Sequence, residues 1–167
     1  DNKVDHENIS LIGHSRGGGV VLIKTAEDDR VKNVITWASI SDIGSRFPAG
    51  DELVKWKNEG AYYVQNGRTK QQMPHFYQFY EDFEQNENRL NIKSAIKNIN
   101  QPVLLIHGEN DPTVDIKEAQ QLKDWQPKAR LETIPDADHV FNTRHPWHKE
   151  ELTKEADVLV EKSIEFL

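Results

Sequence analysis

Gly13-His14-Ser15-Arg16-Gly17 is the stretch of sequence that decides the fold of this chain. It has the pattern G-x-S-x-G, in which a serine lies on a sharp turn between a strand and a helix with its hydroxyl exposed. The turn strains the serine backbone and crowds the positions two before and two after it, which favours glycine at 13 and 17. Apolar residues on both sides favour a strand before the motif and a helix after it.

A candidate acid and a candidate base follow the motif. Asp111 comes after the apolar run at 103–106, which predicts a buried strand, and the carboxyl end of a parallel strand is where α/β active sites collect their polar groups. His139 lies in a polar loop after a second predicted strand at 129–134. The order serine, acid, histidine differs from the orders of the chymotrypsin and subtilisin types. The three residues predict a triad of Ser15 (nucleophile), His139 (base) and Asp111 (acid).

Three segments together resemble the C-terminal part of serine hydrolases with the α/β-hydrolase fold, near the dienelactone-hydrolase-like and prolyl-oligopeptidase-like branches. The segments are Gly-His-Ser-Arg-Gly at 13–17, His-Gly-Glu-Asn-Asp-Pro-Thr-Val at 107–114 and Ala-Asp-His-Val-Phe at 137–141. The resemblance implies an α/β fold with a mostly parallel sheet of about four strands, flanking helices and an inserted helical or hairpin lid. Dienelactone hydrolases proper use a cysteine, so Ser15 indicates their serine relatives.

The serine motif lies early in the chain for this fold, whose members usually have four strands and their helices before it. We therefore expect the chain to be the C-terminal portion of a longer enzyme. The backbone N–H of Arg16 is the one oxyanion-hole donor that can be assigned, because the second comes from a loop in the absent part. We expect the chain alone to be a poor catalyst, and its first strand to be an edge that self-associates or pairs with the absent segment.

Strand and helix patterns divide the chain into three parts. Residues 1–40 form the part of the core with the nucleophile, and residues 101–167 form the part with the acid and the histidine. The insertion at 41–100 is too long for an unstructured loop and predicts a lid with its own structure. In the core we expect strands near 8–13, 31–38, 102–107 and 129–134 and helices near 16–27, 115–124 and 148–166. In the insertion we expect helices at 47–58, 74–84 and 90–99 and a hairpin with Asn66-Gly67 between 62–65 and 68–71.

The aromatic side chains of the insertion are expected to pack within the lid in preference to contacting substrate: Phe76, Tyr77, Phe79, Tyr80 and Phe83.

Composition excludes some classes of partner. The 21 Lys and Arg residues against 28 Asp and Glu residues give a net charge of −7, which argues against nucleic acid. No apolar run approaches the roughly 18–20 residues of a membrane span. Zero cysteines exclude a disulfide and leave the cellular compartment open. We expect no cofactor and no metal, since the pair His145 and His148 lacks further ligands.

The sequence contains other candidates for the acid and for the base. For the acid, Asp115 is a candidate N-cap of the following helix, and Asp136 and Asp138 are expected to be solvated loop carboxylates. The other candidate bases are His107, expected to make a structural hydrogen bond, and His145 and His148, expected near the start of the last helix. His14 is expected to pack or form a hydrogen bond beneath the turn. The Arg16 side chain could meet an anionic substrate group or form a salt bridge.

The sequence predicts a serine hydrolase of carboxylic esters or related acyl bonds, acting through an acyl-enzyme. A prolyl-oligopeptidase-like peptidase and an acyltransferase use the same groups and stay open. A catalytically incompetent fragment or pseudoenzyme that acts as an interaction domain is a further alternative.

Overall fold

The computed structural model describes residues 5–66 and 69–167. Strands and helices alternate at both ends of the chain, and a mixed insertion lies between them. The elements are β1 (Ile9–His14), α1 (Arg16–Glu27), β2 (Val31–Trp37), α2 (Asp51–Glu59), β3 (Ala61–Gln65), β4 (Gln72–Phe76), α3 (Gln78–Gln85), α4 (Ile92–Asn98), β5 (Val103–Gly108), α5 (Ile116–Trp125), β6 (Arg130–Ile134) and α6 (Lys154–Phe166).

Four strands form one parallel sheet in the order β1-β2-β5-β6. Strand β5 is buried along its whole length, His107 included, and its apolar run at 103–106 is typical of a strand covered on both faces. Strand β1 lies at an edge of the sheet, and within the described residues nothing pairs with its outer side. Because all four strands run in the same direction, their carboxyl ends meet at one rim.

Helices cover both faces of the sheet. On one face α1, α4 and α5 enclose a cluster that includes Leu22, Ile96 and Leu122, all fully buried. On the other face α6 packs over Ile35 and Leu104. Neighbouring residues of each strand point to opposite faces, so both clusters use the same strands. The predicted α/β fold with four parallel strands is confirmed.

The inserted segment holds α2, the antiparallel hairpin of β3 and β4, and α3. The predicted hairpin is present, but its second strand begins at Gln72 where we expected 68–71, and Gly67 of the predicted turn lies outside the described residues. The helix expected at 74–84 is also wrong at its start, because Pro74 pairs with Tyr63 in the hairpin. The strand ends at Phe76, and Tyr77 is the N-cap residue of α3.

Helix α4 packs on α1 and contributes Ile92, Ala95 and Ile96 to the core. The division of the chain at residues 40 and 100 stays a prediction.

The last helix is shorter than predicted. It begins at Lys154 instead of 148, because the Thr153 hydroxyl accepts the Ala156 N–H at 3.1 Å and caps the helix there. Leu152, which the predicted range 148–166 includes, therefore precedes the helix and is exposed. His145 and His148 lie in the irregular segment before it.

Candidate active site

The turn at Ser15 joins β1 directly to α1. Ser15 has φ 57° and ψ −122°, a strained conformation for a residue with a side chain. Its N–H donates to the carbonyl of Trp37 at 2.8 Å and its own carbonyl accepts the Gly18 N–H at 2.9 Å. These bonds hold the backbone in the strained turn and place the hydroxyl at the rim of the sheet.

Glycine is required at position 13 and not at position 17. A Cβ at Gly13 would lie 2.3 Å from the Gly17 carbonyl oxygen, so the close approach of strand and helix depends on the missing side chain. A Cβ at Gly17 would meet no heavy atom within 4 Å among the described residues. The steric reason predicted for Gly17 is therefore wrong here.

Other glycines, which sequence reasoning missed, make the close approaches around the site. A Cβ at Gly18 would lie 2.4 Å from the Ser39 hydroxyl oxygen, and one at Gly19 would lie 2.5 Å from a methyl of Ile92. At the end of β5, a Cβ on Gly108 would lie 2.4 Å from the Ala137 carbonyl oxygen. The run of three glycines after Arg16 was the available signal for tight helix packing.

The structure brings the three predicted triad residues together. His139 Nε2 lies 3.0 Å from Ser15 Oγ, and His139 Nδ1 lies 2.8 Å from Asp111 Oδ2. A carboxylate only accepts hydrogen bonds, so Nδ1 carries the proton and Nε2 is free to accept the serine hydroxyl. Residues separated by 124 and 28 positions thus form one continuous hydrogen-bonded chain.

The Asp111 side chain is fully buried and is held by its own turn. Its Oδ1 accepts the N–H groups of Thr113 at 2.8 Å and Val114 at 2.9 Å, which leaves Oδ2 for His139. The buried carboxylate is therefore stabilised by hydrogen bonds on both oxygens.

Two histidines that flank the triad have structural contacts. His107 donates from Nε2 to the Val114 carbonyl at 2.8 Å, which confirms the predicted structural hydrogen bond. His14 Nε2 lies 2.8 Å from the carbonyl oxygen of His139, and the two rings are 4.8 Å apart. A carbonyl only accepts, so His14 donates this bond and ties the turn to the backbone of the histidine loop. Partial burial lowers the pKa of His14 below the ordinary histidine value.

The remaining candidates lie outside the triad. Asp115 is the N-cap of α5 and accepts the Lys117 N–H at 2.9 Å, as predicted. Asp138 is not the solvated carboxylate we expected, because it accepts the Val140 and Asn142 N–H groups and pairs with Arg144. Burial alone would raise the pKa of Asp138, but these hydrogen bonds outweigh it and the pKa falls below its ordinary value. Asp136 is exposed.

Arg16 presents two groups at the site. Its backbone N–H has no hydrogen-bond partner among the described residues, so it is free for an oxyanion. Its guanidinium carbon lies 5.5 Å from the centre of the Phe79 ring on α3.

Most aromatic side chains of the insertion pack on one another. Trp56 is 1% exposed and contacts the rings of Tyr62 and Tyr77, while Phe47 contacts those of Phe79, Tyr80 and Phe83. Tyr77, Tyr80 and Phe83 pack against other rings of the insertion, as expected for side chains within a lid. Phe76 is 56% exposed, and Phe79 has one side open toward Arg16.

Within residues 5–66 and 69–167 no cluster of three or more His, Cys, Asp or Glu side chains could hold a metal ion. None of the helices in that part of the chain is both long and apolar enough to cross a bilayer.

The family described as the alpha/beta hydrolase fold matches residues 57–146, which is more than half of the chain. The chain belongs to this family. In Bacillus subtilis, the uncharacterized peptidase YtmA is 26% identical over 122 residues, 72% of this chain and 42% of the relative. The uncharacterized peptidase YuxL from the same organism is 28% identical over 151 residues, 87% of this chain and 21% of the relative. The chain thus spans less than half the length of either relative.

Solved structures of the same fold include an esterase domain and a lipase. The esterase domain from a Rhodothermus marinus protein is 29% identical with a TM-score of 0.59, and the match covers 80% of this chain and 53% of that domain. The monoacylglycerol lipase from Paleococcus ferrophilus has a TM-score of 0.67 over 95% of this chain and 67% of the lipase. Its 16% identity shows the fold alone.

Proposed function

We propose that this chain is the catalytic part of a serine hydrolase that cleaves carboxylic esters or related acyl bonds. The observation that carries the proposal is the continuous contact from Ser15 Oγ through the His139 ring to Asp111, at 3.0 and 2.8 Å. In a general acid–base mechanism the base must lie within hydrogen-bond distance of the proton it removes, and His139 meets that condition.

The first step forms an acyl-enzyme. Ser15 Oγ attacks the substrate carbonyl carbon while its proton passes to His139 Nε2. Asp111 keeps the imidazole in the productive orientation and stabilises its positive charge. The tetrahedral intermediate collapses, the bond to the leaving alcohol breaks, and the proton on Nε2 moves to that alcohol.

The second step releases the acid. A water molecule gives a proton to His139 Nε2 as its oxygen attacks the acyl carbon. The bond to Ser15 Oγ then breaks, and the proton on Nε2 returns to the serine. The enzyme is regenerated, and the net reaction is hydrolysis.

The Arg16 N–H is the donor that we propose for the oxyanion. A second donor and a neighbour for the edge strand β1 would come from a further segment, and the relatives of which this chain spans only part are long enough to contain one. Removal of one oxyanion donor typically lowers turnover by about 10²–10³-fold. We therefore propose that the 167-residue chain alone turns over slowly, and that its β1 edge pairs with such a segment or with a second copy.

A peptidase is the second candidate, because the Bacillus subtilis relatives are named as uncharacterized peptidases. Both activities use the same triad, so the groups at Ser15 do not separate them. A matched ester and anilide with one acyl group would do so: preference for the anilide would support the peptidase.

The proposal is tested with a fluorophosphonate probe, which reacts with an activated serine without needing turnover. We expect the chain to be labelled at Ser15, and the Ser15→Ala variant to lose that label. Ser94→Ala on α4 is the matched control, because this exposed side chain lies outside the triad. Equal labelling of Ser15→Ala and the unaltered chain, or no labelling of either, would contradict the proposed function.

A further inference from the structure

The arginine beside the nucleophile differs from the other arginines of the described chain. Five of them pair with a carboxylate: Arg30 with Asp28, Arg46 with Glu118, Arg89 with Glu27, Arg130 with Glu132 and Arg144 with Asp138. Within residues 5–66 and 69–167, Arg16 forms no ion pair and no side-chain hydrogen bond. The chain carries 28 acidic residues, so carboxylates are not scarce. An exposed guanidinium at the site is thus left with unused donors.

The Arg16 side chain is nevertheless held in place. Its guanidinium carbon lies 5.5 Å from the centre of the Phe79 ring, and that ring is fixed in turn by Phe47 at 5.2 Å. An aromatic ring attracts the cation but has no lone pairs, so the contact restrains the long side chain while leaving N–H donors for an anion. The carboxylate of Asp82, one turn along α3, is bonded to Asn86 instead.

The location decides what such a cation would contact. Arg16 follows Ser15 directly, and its side chain reaches α3, which brings its charge to the rim between the turn and the lid. A substrate whose carbonyl lies at Ser15 would place its neighbouring atoms along this rim. The fork of guanidinium donors matches a carboxylate with two parallel hydrogen bonds.

We infer that the Arg16 guanidinium binds a carboxylate of the substrate, which makes the preferred substrate class an ester or related acyl compound with a free carboxylate a few bonds from the scissile carbonyl. This inference rests on the proposed function and adds the charge of the substrate to it. Phe79 acts as a positioning residue that holds the guanidinium ready for the anion.

The test uses two fluorophosphonates that differ at one end of an alkyl tail, where one carries a carboxylate and the other an isopropyl group of similar shape. Tails of different lengths vary the separation between the charged end and the phosphorus that reacts with Ser15. For each variant we measure the second-order rate constant of Ser15 labelling and take the ratio of anionic to neutral probe. We expect the unaltered chain to favour the anionic probe and Arg16→Gln to lower the ratio by about tenfold, in line with a charge-assisted hydrogen bond.

Variants at the same position and elsewhere sharpen the result. Arg16→Lys should retain part of the preference, because lysine keeps the charge but lacks the fork. Phe79→Leu should lower the ratio less than Arg16→Gln does. Arg30→Gln removes an exposed charge far along the chain and controls for net charge.

Two results would overturn the inference, and they are distinct. A ratio in Arg16→Gln within twofold of the unaltered chain would show that Arg16 does not select the anion, while the proposed function would stand. The absence of Ser15-dependent labelling by either probe would remove the proposed function and this inference together.

Discussion

The turn around Ser15 and the inserted segment at 41–100, predicted to be a lid, hold their side chains in place by different means. At the turn, backbone atoms come so close that a Cβ at Gly13 would lie 2.3 Å from a carbonyl oxygen. In the lid, rings contact rings, as Trp56 does with Tyr62 at 4.7 Å, and a Cβ added at Gly44 would meet a side chain, the Phe83 ring at 3.2 Å, in place of backbone. The difference teaches that the reacting groups depend on a backbone arrangement that tolerates few changes, whereas the lid depends on packing that can adjust.

The largest expected effect separates two aspartates in the same turn region. Asp111→Asn should lower the rate of Ser15 labelling by about 10³–10⁴-fold, because an amide at this position no longer holds the productive imidazole tautomer. Asp115→Asn is the matched control, since asparagine caps a helix about as well as aspartate. It should leave the rate unchanged. Comparable rates for the two variants would break the assignment of the acid.

A pair of glycine substitutions tests the dependence of the turn on backbone approach. Gly13→Ala should lower the free energy of unfolding by about 3 kcal/mol, because strand and helix must separate to admit the methyl group. Gly17→Ala should raise it by up to about 1 kcal/mol, because the space is open and alanine favours the helix. Urea unfolding measures both. Equal losses would show that the turn is crowded at both positions, as the sequence motif alone predicts.

The smallest expected effects lie in the lid. Trp56→Phe removes the indole donor that bonds the His75 carbonyl at 2.8 Å but keeps an aromatic ring in the cluster, so it should cost about 1–2 kcal/mol. Phe76→Leu at the exposed position should change the free energy of unfolding by less than about 0.5 kcal/mol. The same urea measurements apply. A loss from Trp56→Phe as large as that from Gly13→Ala would remove the contrast between the two regions.

The contrast also explains what could be predicted from the sequence. The parallel sheet and the triad residues were accessible because an apolar run such as 103–106 followed by Asp111 combines a strand signal with a polar group at its carboxyl end. The motif predicts a steric need for glycine at both position 13 and position 17. The structure shows crowding at position 13, whereas the space beside position 17 is open. The motif shows where the glycines lie but does not show how far each one is from the nearest backbone atom.

Long-range contacts set the features that were missed. The hydrogen bond from His14 to the His139 carbonyl joins residues 125 positions apart, and no local sequence pattern predicts it. The same holds for the approach of Gly108 to Ala137. In the lid, Pro74 and its aromatic neighbours gave a helical pattern, but cross-strand pairing with Tyr63 prevailed. The start of α6 is set by the Thr153 cap, and the prediction of a helix near 148–166 did not take this cap into account.

The way Asp111 divides its two oxygens has a consequence for where the histidine must be placed. Because Oδ1 accepts the N–H groups of Thr113 and Val114, two donors within the same turn set the direction of the carboxylate. A histidine loop of different length from a homologue could replace the present one, provided that its imidazole reaches Asp111 Oδ2.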